Sequence, residues 1–343
     1  MVEGRVAPSQ PTLEEVAAIA GVSRATASRV INGSSRVSVP AKTAVDKAVA
    51  QLGYVPNRAA RQLVTRRTDS IGLVVSEPET RVFSEPFFSA ALRGVSDALS
   101  DTDLHLVLLM AQNDVQRARL ERYVQNRHVD GVILMSLHGE DPLPQALSRL
   151  GMPVVLFGRP VVAADGVTWL DADNVGGASG AVDHLLAGGR TTIATITGPQ
   201  DMCAGIDRLE GYRASLEAHG LAYDESLVAV GDFTEAAGMA LAQELLSRRP
   251  DLDAIFAASD LMATGALHAL RSSGRTVPGD VAVIGFDDSP SAPYTDPPLT
   301  TVRQPVEAMA RQMTEMLLTQ VATGDHSQQR VVVETELVIR SSA

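Results

Sequence analysis

Residues 12–33 read TLEEVAAIAGVSRATASRVING. Thr12 followed three residues later by Glu15 is a capping box, in which each side chain satisfies the other's backbone N–H, so the spacing predicts a helix from Leu13. Leu13, Val16, Ala17 and Ala20 recur at the helical interval. Gly21 is placed to close that helix, because glycine takes a positive φ at no steric cost. Ser23 can cap a second helix from Arg24 to about Asn32, with Ala27, Val30 and Ile31 inward and Arg24, Ala25, Ser28 and Arg29 outside. Ser38 can cap a third, which carries Val45, Ala48, Val49 and Leu52 and ends at Gly53-Tyr54. Helix, glycine turn, helix and supporting helix form a helix-turn-helix layout. That layout sets the N-terminal residues of the second helix at base edges in the major groove.

The charge distribution agrees. The 343-residue chain has a formal net charge of −12, yet residues 1–68 hold ten basic side chains against four acidic ones. The head is therefore +6 and the remainder −18. A basic head on an acidic body implies that the head alone meets a polyanion. Charge by itself also suits a solvated tail; the helix pattern favours nucleic acid. The length suits two or three domains, and 45% hydrophobic with 20% charged residues is ordinary for a soluble globular chain. The single cysteine, Cys203, allows no intrachain disulfide and fits a reducing compartment. The N-terminus shows no apolar secretory segment, and no apolar run reaches about 18 residues. The expectation is a cytoplasmic protein without a membrane span.

The stretch TLEEVAAIAGVSRATASRVINGSSRVS, followed by AVAQLGYVPNRAARQLVTRRTDSIGLVV, resembles the N-terminus of the lac/gal repressor family of bacterial transcription regulators. The likeness includes the VAxxAGVSxxTxSRVxN core, the LGYxPN link, the AARxL hinge and the SIGLVV strand, and it continues through nearly the whole chain. It implies that the two main base-reading positions are Arg24 and Ala25. Arginine can make a bidentate contact to guanine O6 and N7, whereas alanine offers only a methyl group. Thr12, Ser23, Thr26, Ser28, Arg29, Asn32 and Asn57 fall on the family's other DNA-contact positions. Ser23 can serve as a helix cap as well, and Thr26 and Ser28 can equally be packing residues. Residues 57–64, NRAARQLV, look like the family's hinge helix, too short to be stable alone. The resemblance makes Leu63, with Ala60 beside it, the apolar wedge that enters the minor groove and kinks the duplex.

From Ser70 onward apolar runs alternate with helical stretches. SIGLVV (70–75), LHLVLLM (104–110), GVILM (131–135), PVVLF (153–157), TTIATIT (191–197), AIFAAS (254–259) and VAVIGF (281–286) read as strands. This rhythm predicts α/β architecture with parallel sheets covered on both faces. The expected fold is an all-α head, 1–56, a hinge and linker, 57–68, and a core, 69–343, of two Rossmann-like subdomains. The resemblance makes that core similar to periplasmic sugar-binding proteins. The lobes are placed at about 69–168 with 301–327, and 169–300 with 328–341.

Ligands of open α/β sheets bind beyond the carboxyl ends of the strands. The candidates there are Phe87, Phe88, Asp173 beside Asn174, Met202, Ala204, Arg208, Phe233, Ser259, Asp260, Asp287 and Gln304. Arg208 can bridge ligand oxygens bidentately, Asp287 can accept from hydroxyls, and aromatic rings can pack on a sugar's C–H face. The mix suits a polyhydroxylated effector. Phe88 also fits the core, and Asp260 also fits a helix cap. Met202, Cys203 and Ala204 make their side of the pocket soft; Cys203 reads as a small buried residue rather than a sensor.

No G-x-S-x-G, P-loop, H-E-x-x-H or C-x-x-C occurs, and the histidines are scattered, so neither enzyme, cofactor nor metal is expected. GGASG (176–180) lacks a dinucleotide fingerprint. A free-standing solute-binding protein is disfavoured by the intact head and by the missing secretory segment. The reading is a DNA-binding repressor, a homodimer on a pseudo-palindromic double-stranded operator, controlled by a sugar-like effector in the interlobe cleft. No heptad tail follows ETELVIR (334–340), which favours a dimer over a tetramer.

Overall fold

The computed structural model describes residues 11–31, 34, 36–55, 67–163 and 165–343. The chain divides into two units, Met1–Thr68 and Asp69–Ala343. In the first, α1 (Leu13–Ala20) opens on the expected capping box: Thr12 N donates to Glu15 Oε2 at 2.7 Å and Glu15 N to Thr12 Oγ1 at 3.3 Å. Gly21 closes it at φ 65°. The second helix, α2 (Arg24–Ile31), starts where Ser23 Oγ accepts from Thr26 N at 3.1 Å. The third, α3 (Val39–Leu52), has Ser38 at its cap position, but the serine side chain makes no capping hydrogen bond, contrary to expectation. A proline in the first turn there removes one of the N–H groups a cap would satisfy. Val16, Ala17, Ala27, Val30, Val45 and Ala48 form the buried centre of this unit. Asn32, Asn57, Ala60 and Leu63 lie outside the described residues, and so does the expected wedge.

The second unit holds two six-stranded sheets. The first is built from β1 (Ser70–Val75), β2 (His105–Met110), β3 (Gly131–Met135), β4 (Val154–Phe157), β5 (Thr168–Ala172) and β11 (Arg330–Val333), in the order β11-β5-β4-β3-β1-β2, all parallel. The second contains β6 (Ile193–Thr197), β7 (Val228–Val230), β8 (Ala254–Ala257), β9 (Ala282–Asp287), β10 (Thr300–Arg303) and β12 (Glu336–Val338), in the order β12-β10-β9-β8-β6-β7. Only β12 runs antiparallel to its neighbour.

Strands buried on both faces need apolar side chains at every position, and each face then joins a different core. Ile71, Leu73 and Val75 of β1 pack with α5 (Pro86–Leu99) and α12 (Val306–Thr323); Val74 packs on the other face with α6 (Asp114–Gln125) and α7 (Leu143–Arg149). The second sheet repeats the plan. Ile255 and Val283 face α10 (Glu235–Arg248) and α11 (Asp260–Ser272), while Phe256 and Ile284 face α8 (Asn174–Ala187) and α9 (Cys203–Ala218).

The lobe boundaries differ from those read off the sequence. Strand β5 pairs with β4, so the first lobe runs to residue 172 rather than 168. Strand β10 pairs with β9, so 301–303 belong to the second lobe. Strand β11 returns to β5 before β12 crosses to β10, which splits 328–341 between the lobes. A strand's sheet is decided by its hydrogen-bond partner, which its own apolar pattern does not reveal. The chain thus crosses between lobes three times, near residues 173, 304 and 334.

Candidate functional site

On the head, Arg24, Ala25 and Arg29 are exposed along α2, and Thr26 and Ser28 are half-buried. Ser23 is both a cap and a surface residue: its Oγ takes Thr26 N and lies 2.9 Å from Thr26 Oγ1. Thr12 is occupied by its capping box. Arg24 Nε contacts Glu14 Oε1 at 2.7 Å, a pairing of two exposed side chains that sequence reading did not find. An exposed pair of this kind contributes ~1 kcal/mol or less, so it does not hold Arg24 away from DNA.

In the second unit the carboxyl ends of both sheets border a cavity of about 680 Å3. Phe87, Phe88, Met202, Ala204, Arg208, Phe233, Ser259, Asp260, Asp287 and Gln304 all line it. Asp173 does not. Its carboxylate accepts from Gly176 N at 2.9 Å and caps α8, while the adjacent Asn174 reaches the cavity.

Arg208 organises the floor. It projects from α9 and is buried, with its guanidinium 3.6 Å above the Phe286 ring. Nε donates to Asn174 Oδ1 at 2.9 Å and Nη1 to Ala258 O at 2.6 Å, with Asp287 Oδ1 3.7 Å from Nη1. The fork is therefore half committed to protein, and among the described residues Nη2 has no protein partner, so the expected bidentate grip narrows to that nitrogen. Burial lowers the guanidinium's proton affinity, and Asp287 opposes this. Gln304 Nε2 donates to Asp287 Oδ1 at 2.6 Å.

Asp260 is not the cap of α11. Ser259 is, accepting from Met262 N at 3.2 Å, and Ser259 Oγ also donates to Phe233 O at 3.2 Å. The Asp260 carboxylate instead takes Ser289 N at 2.6 Å and Thr301 Oγ1 at 2.5 Å. A Cβ at Gly285 would collide with Asp260 Oδ1, so glycine makes room for that carboxylate. Burial, then the neighbouring Asp287, pushes Asp260 up to about 7; burial pushes Asp287 up to about 6 against the pull of Arg208. Both carboxyls are thus more basic than an ordinary aspartate, with Asp260 already accepting from Ser289 and Thr301 and Asp287 from Gln304.

Phe233, Asp287 and Asp288 hold positive φ angles of 70°, 122° and 52°. Such conformations cost about 1–3 kcal/mol each and gather where a site dictates the backbone. Phe88 packs in the first lobe's core, edge-on to Phe87 at 5.2 Å, and Phe87 in turn meets Phe157 at 5.5 Å. Cys203 is buried and its thiol is pushed up to about 11 by that burial, which keeps it protonated and inert.

Residues 12–57 match the family model of bacterial regulatory proteins of the lacI family, and residues 182–343 match a periplasmic binding protein-like domain. The chain is 52% identical over 334 residues to the HTH-type transcriptional regulator CelR of Thermobifida fusca, covering 97% of this chain and 98% of that one. The chain belongs to the lacI family of transcriptional regulators. This lacI-family chain is also 34% identical to the ribose operon repressor of Escherichia coli K12, covering 97% and 99% of the two chains. Among solved structures it is similar to a CelR–cellobiose complex, with 49% identity, a TM-score of 0.78 and coverage of 97% and 100%. It is similar as well to a lac repressor dimer bound to operator and anti-inducer, with 25% identity, a TM-score of 0.84 and coverage of 97% and 99%. Like its lacI-family relatives, it is a DNA-binding transcriptional regulator rather than an enzyme.

Sequence reading missed a second set of cleft residues in this lacI-family chain. Arg81, Glu85, Arg159, Asp171, Asp288 and Arg303 all line the cavity. Arg81, on α4 (Glu79–Ser84), bonds Glu77 at 2.8 Å and Glu85 at 2.5 Å and lies over the Phe233 ring. Glu85 is pushed up to about 7 by burial. Arg159, which follows β4, pairs with Asp207 of α9 in the other lobe through Nη2, and through Nε at 3.2 Å. Its N–H also donates to Asp171, which accepts from Asn174 Nδ2 at 3.2 Å. The proximity of α4 to β1 was the only available signal for Arg81; the others become neighbours solely through the fold. No helix of the described residues is long and apolar enough to cross a membrane.

Proposed function

We propose that this regulator is a cytoplasmic, dimeric repressor whose interlobe cleft takes a β-linked glucose disaccharide of the cellobiose class as effector. The cleft floor carries the reading: Arg208, Asp260 and Asp287 offer groups suited to hydroxyls in a cavity that Phe87, Phe157 and Phe233 also line, and its volume lies within the roughly 300–1,000 Å3 of small-molecule sites. The full-length likeness to CelR, a regulator solved with cellobiose, and to the lac repressor dimer on its operator supports the ligand class and the assembly. Each head reads one half-site with Arg24 and Ala25 leading, and Leu63 supplies the minor-groove wedge. The effector shifts the regulator between DNA-competent and incompetent forms by its differential affinity for them.

The test is operator binding by the full chain, followed by fluorescence anisotropy on inverted-repeat DNA, with cellobiose, glucose, ribose or galactose added. Cellobiose is expected to change operator affinity at least about tenfold, a coupling of ~1.4 kcal/mol, with the monosaccharides weaker. Equal indifference to all four sugars would falsify the ligand class, and absence of DNA binding at low salt would sink the operator reading.

A further inference from the structure

Among the described residues, two of the contacts that join the lobes across the cleft pair a basic side chain with a carboxylate, and they differ in kind. One is Arg159 with Asp207, whose cation stays charged throughout the accessible pH range. The other is built on a histidine. His138 follows β3 in the first lobe. Its Nε2 lies 3.1 Å from Glu77 Oε1 of the same lobe, and its Nδ1 lies 3.0 Å from Asp201 Oδ2, which follows β6 in the second. The adjoining Gly139 N donates to Asp201 O at 2.7 Å, so the backbone docks the two loops against each other and aligns the ring.

We propose that His138 is a proton-binding site joining the lobes: its imidazolium bridges Glu77 and Asp201, so that closing the cleft takes up a proton. A neutral imidazole has one N–H and one lone pair. Placed between two carboxylates it satisfies one and turns its lone pair on the other. Only the doubly protonated ring donates to both. Glu77 Oε1 already accepts from Arg81 Nη1 at 2.8 Å, so it is an acceptor toward both its neighbours.

The charged groups around the ring are Glu77, with Arg81 of α4 upon it, and Asp201 across the cleft. Glu140 and Asp141 follow on its own loop, with Asp141 3.3 Å from Arg117 of α6. The hydrogen bond to Glu77 holds the imidazolium above its ordinary 6.5; burial opposes this, and Asp201 adds to it. Glu77 lies in the ring's own lobe and acts whether the cleft is open or closed, so the part of the rise linked to closure is Asp201's; it is fully present below the open-cleft midpoint and is lost as pH rises through the closed-cleft one. The closed cleft is therefore favoured on the acidic side of that window. Ligand held in the closed cleft is bound more weakly above it, by at most about tenfold per pH unit for one linked proton.

The test uses the full chain carrying 13C-labelled histidine, with the His138 ring signal followed by NMR from about pH 5 to about pH 9. His138→Gln assigns the signal. A midpoint above 6.5 that falls back toward 6.5 in Asp201→Asn is expected. A midpoint at or below 6.5, or one indifferent to Asp201→Asn, overturns the proposal.

The link to ligand rests on the disaccharide reading and has its own arm. Calorimetry with cellobiose in two buffers of different ionisation heat should show more proton uptake in the wild type than in His138→Gln, because Glu85, Asp260 and Asp287 also line the cleft; equal uptake in the two overturns the proposal. Binding without proton uptake at the His138 midpoint also overturns the proposal. Absence of cellobiose binding counts against the ligand class alone, and the NMR titration still decides the proton site.

Discussion

The recognition face of α2 and the floor of the cleft both rest on an arginine, and they use it in opposite ways. Arg24 stands in solvent with its side chain 71% exposed and a loose partner in Glu14. Arg208 is 4% exposed, stacked on Phe286 and bonded to Asn174 and the Ala258 carbonyl. A polyanion is met by mobile, hydrated charge, whose affinity comes largely from released counterions and falls with salt. A neutral polyol offers no such gain. It is recognised only if charge has been desolvated and fixed beforehand, at the cost of folding around it.

The contrast breaks first at Arg208. Arg208→Met leaves Asp287 and Asp260 buried together without their cation, and is expected to cost the second unit about 3–5 kcal/mol as well as abolish ligand binding. Urea melts should show a lower midpoint; an unchanged midpoint would mean that the floor is not held by this charge.

Arg24→Ala should leave stability alone and cost ~1–3 kcal/mol at a single operator base pair. Binding to a panel of single-base operator variants reads this directly. A uniform loss on all sequences would make Arg24 a phosphate contact instead. The smallest effect belongs to Ser23→Ala, which removes the acceptor for Thr26 N and should destabilise the head by ~1 kcal/mol. A larger loss of operator affinity than of head stability would add a DNA contact to its capping role.

Legibility in the sequence followed burial. Strands β1 and β3 were readable to the residue because both faces are buried and every position after Ser70 is an apolar side chain or glycine. The head was readable because its helices each have one apolar stripe and clear end signals. Helix α9 gave little periodic signal: Cys203, Asp207, Arg208, Tyr212 and Ser215 are all buried, so polar and apolar residues face inward together. Strands β7 and β12, of three residues each, are too short to carry a pattern. Asp173 was misplaced by one residue, because a cap and a ligand-facing side chain are both expected where a strand passes into a helix. Arg159, Asp171 and His138 look like ordinary surface charges along the chain; they acquire partners only when strands far apart in sequence bring their carboxyl ends to one cleft.

The three crossings between lobes carry a mechanical consequence. One strand would let the lobes swivel about any axis. Here the crossings lie side by side: Asp173 N bonds Val333 O at 2.8 Å, and β10 and β12 continue together into the second sheet. Three parallel straps bend easily across their width and resist shear and torsion. Side-by-side straps of this kind favour one relative motion of the lobes, a change of opening angle. The Arg159–Asp207 and His138–Asp201 pairs both span the cleft, so both act on that single coordinate.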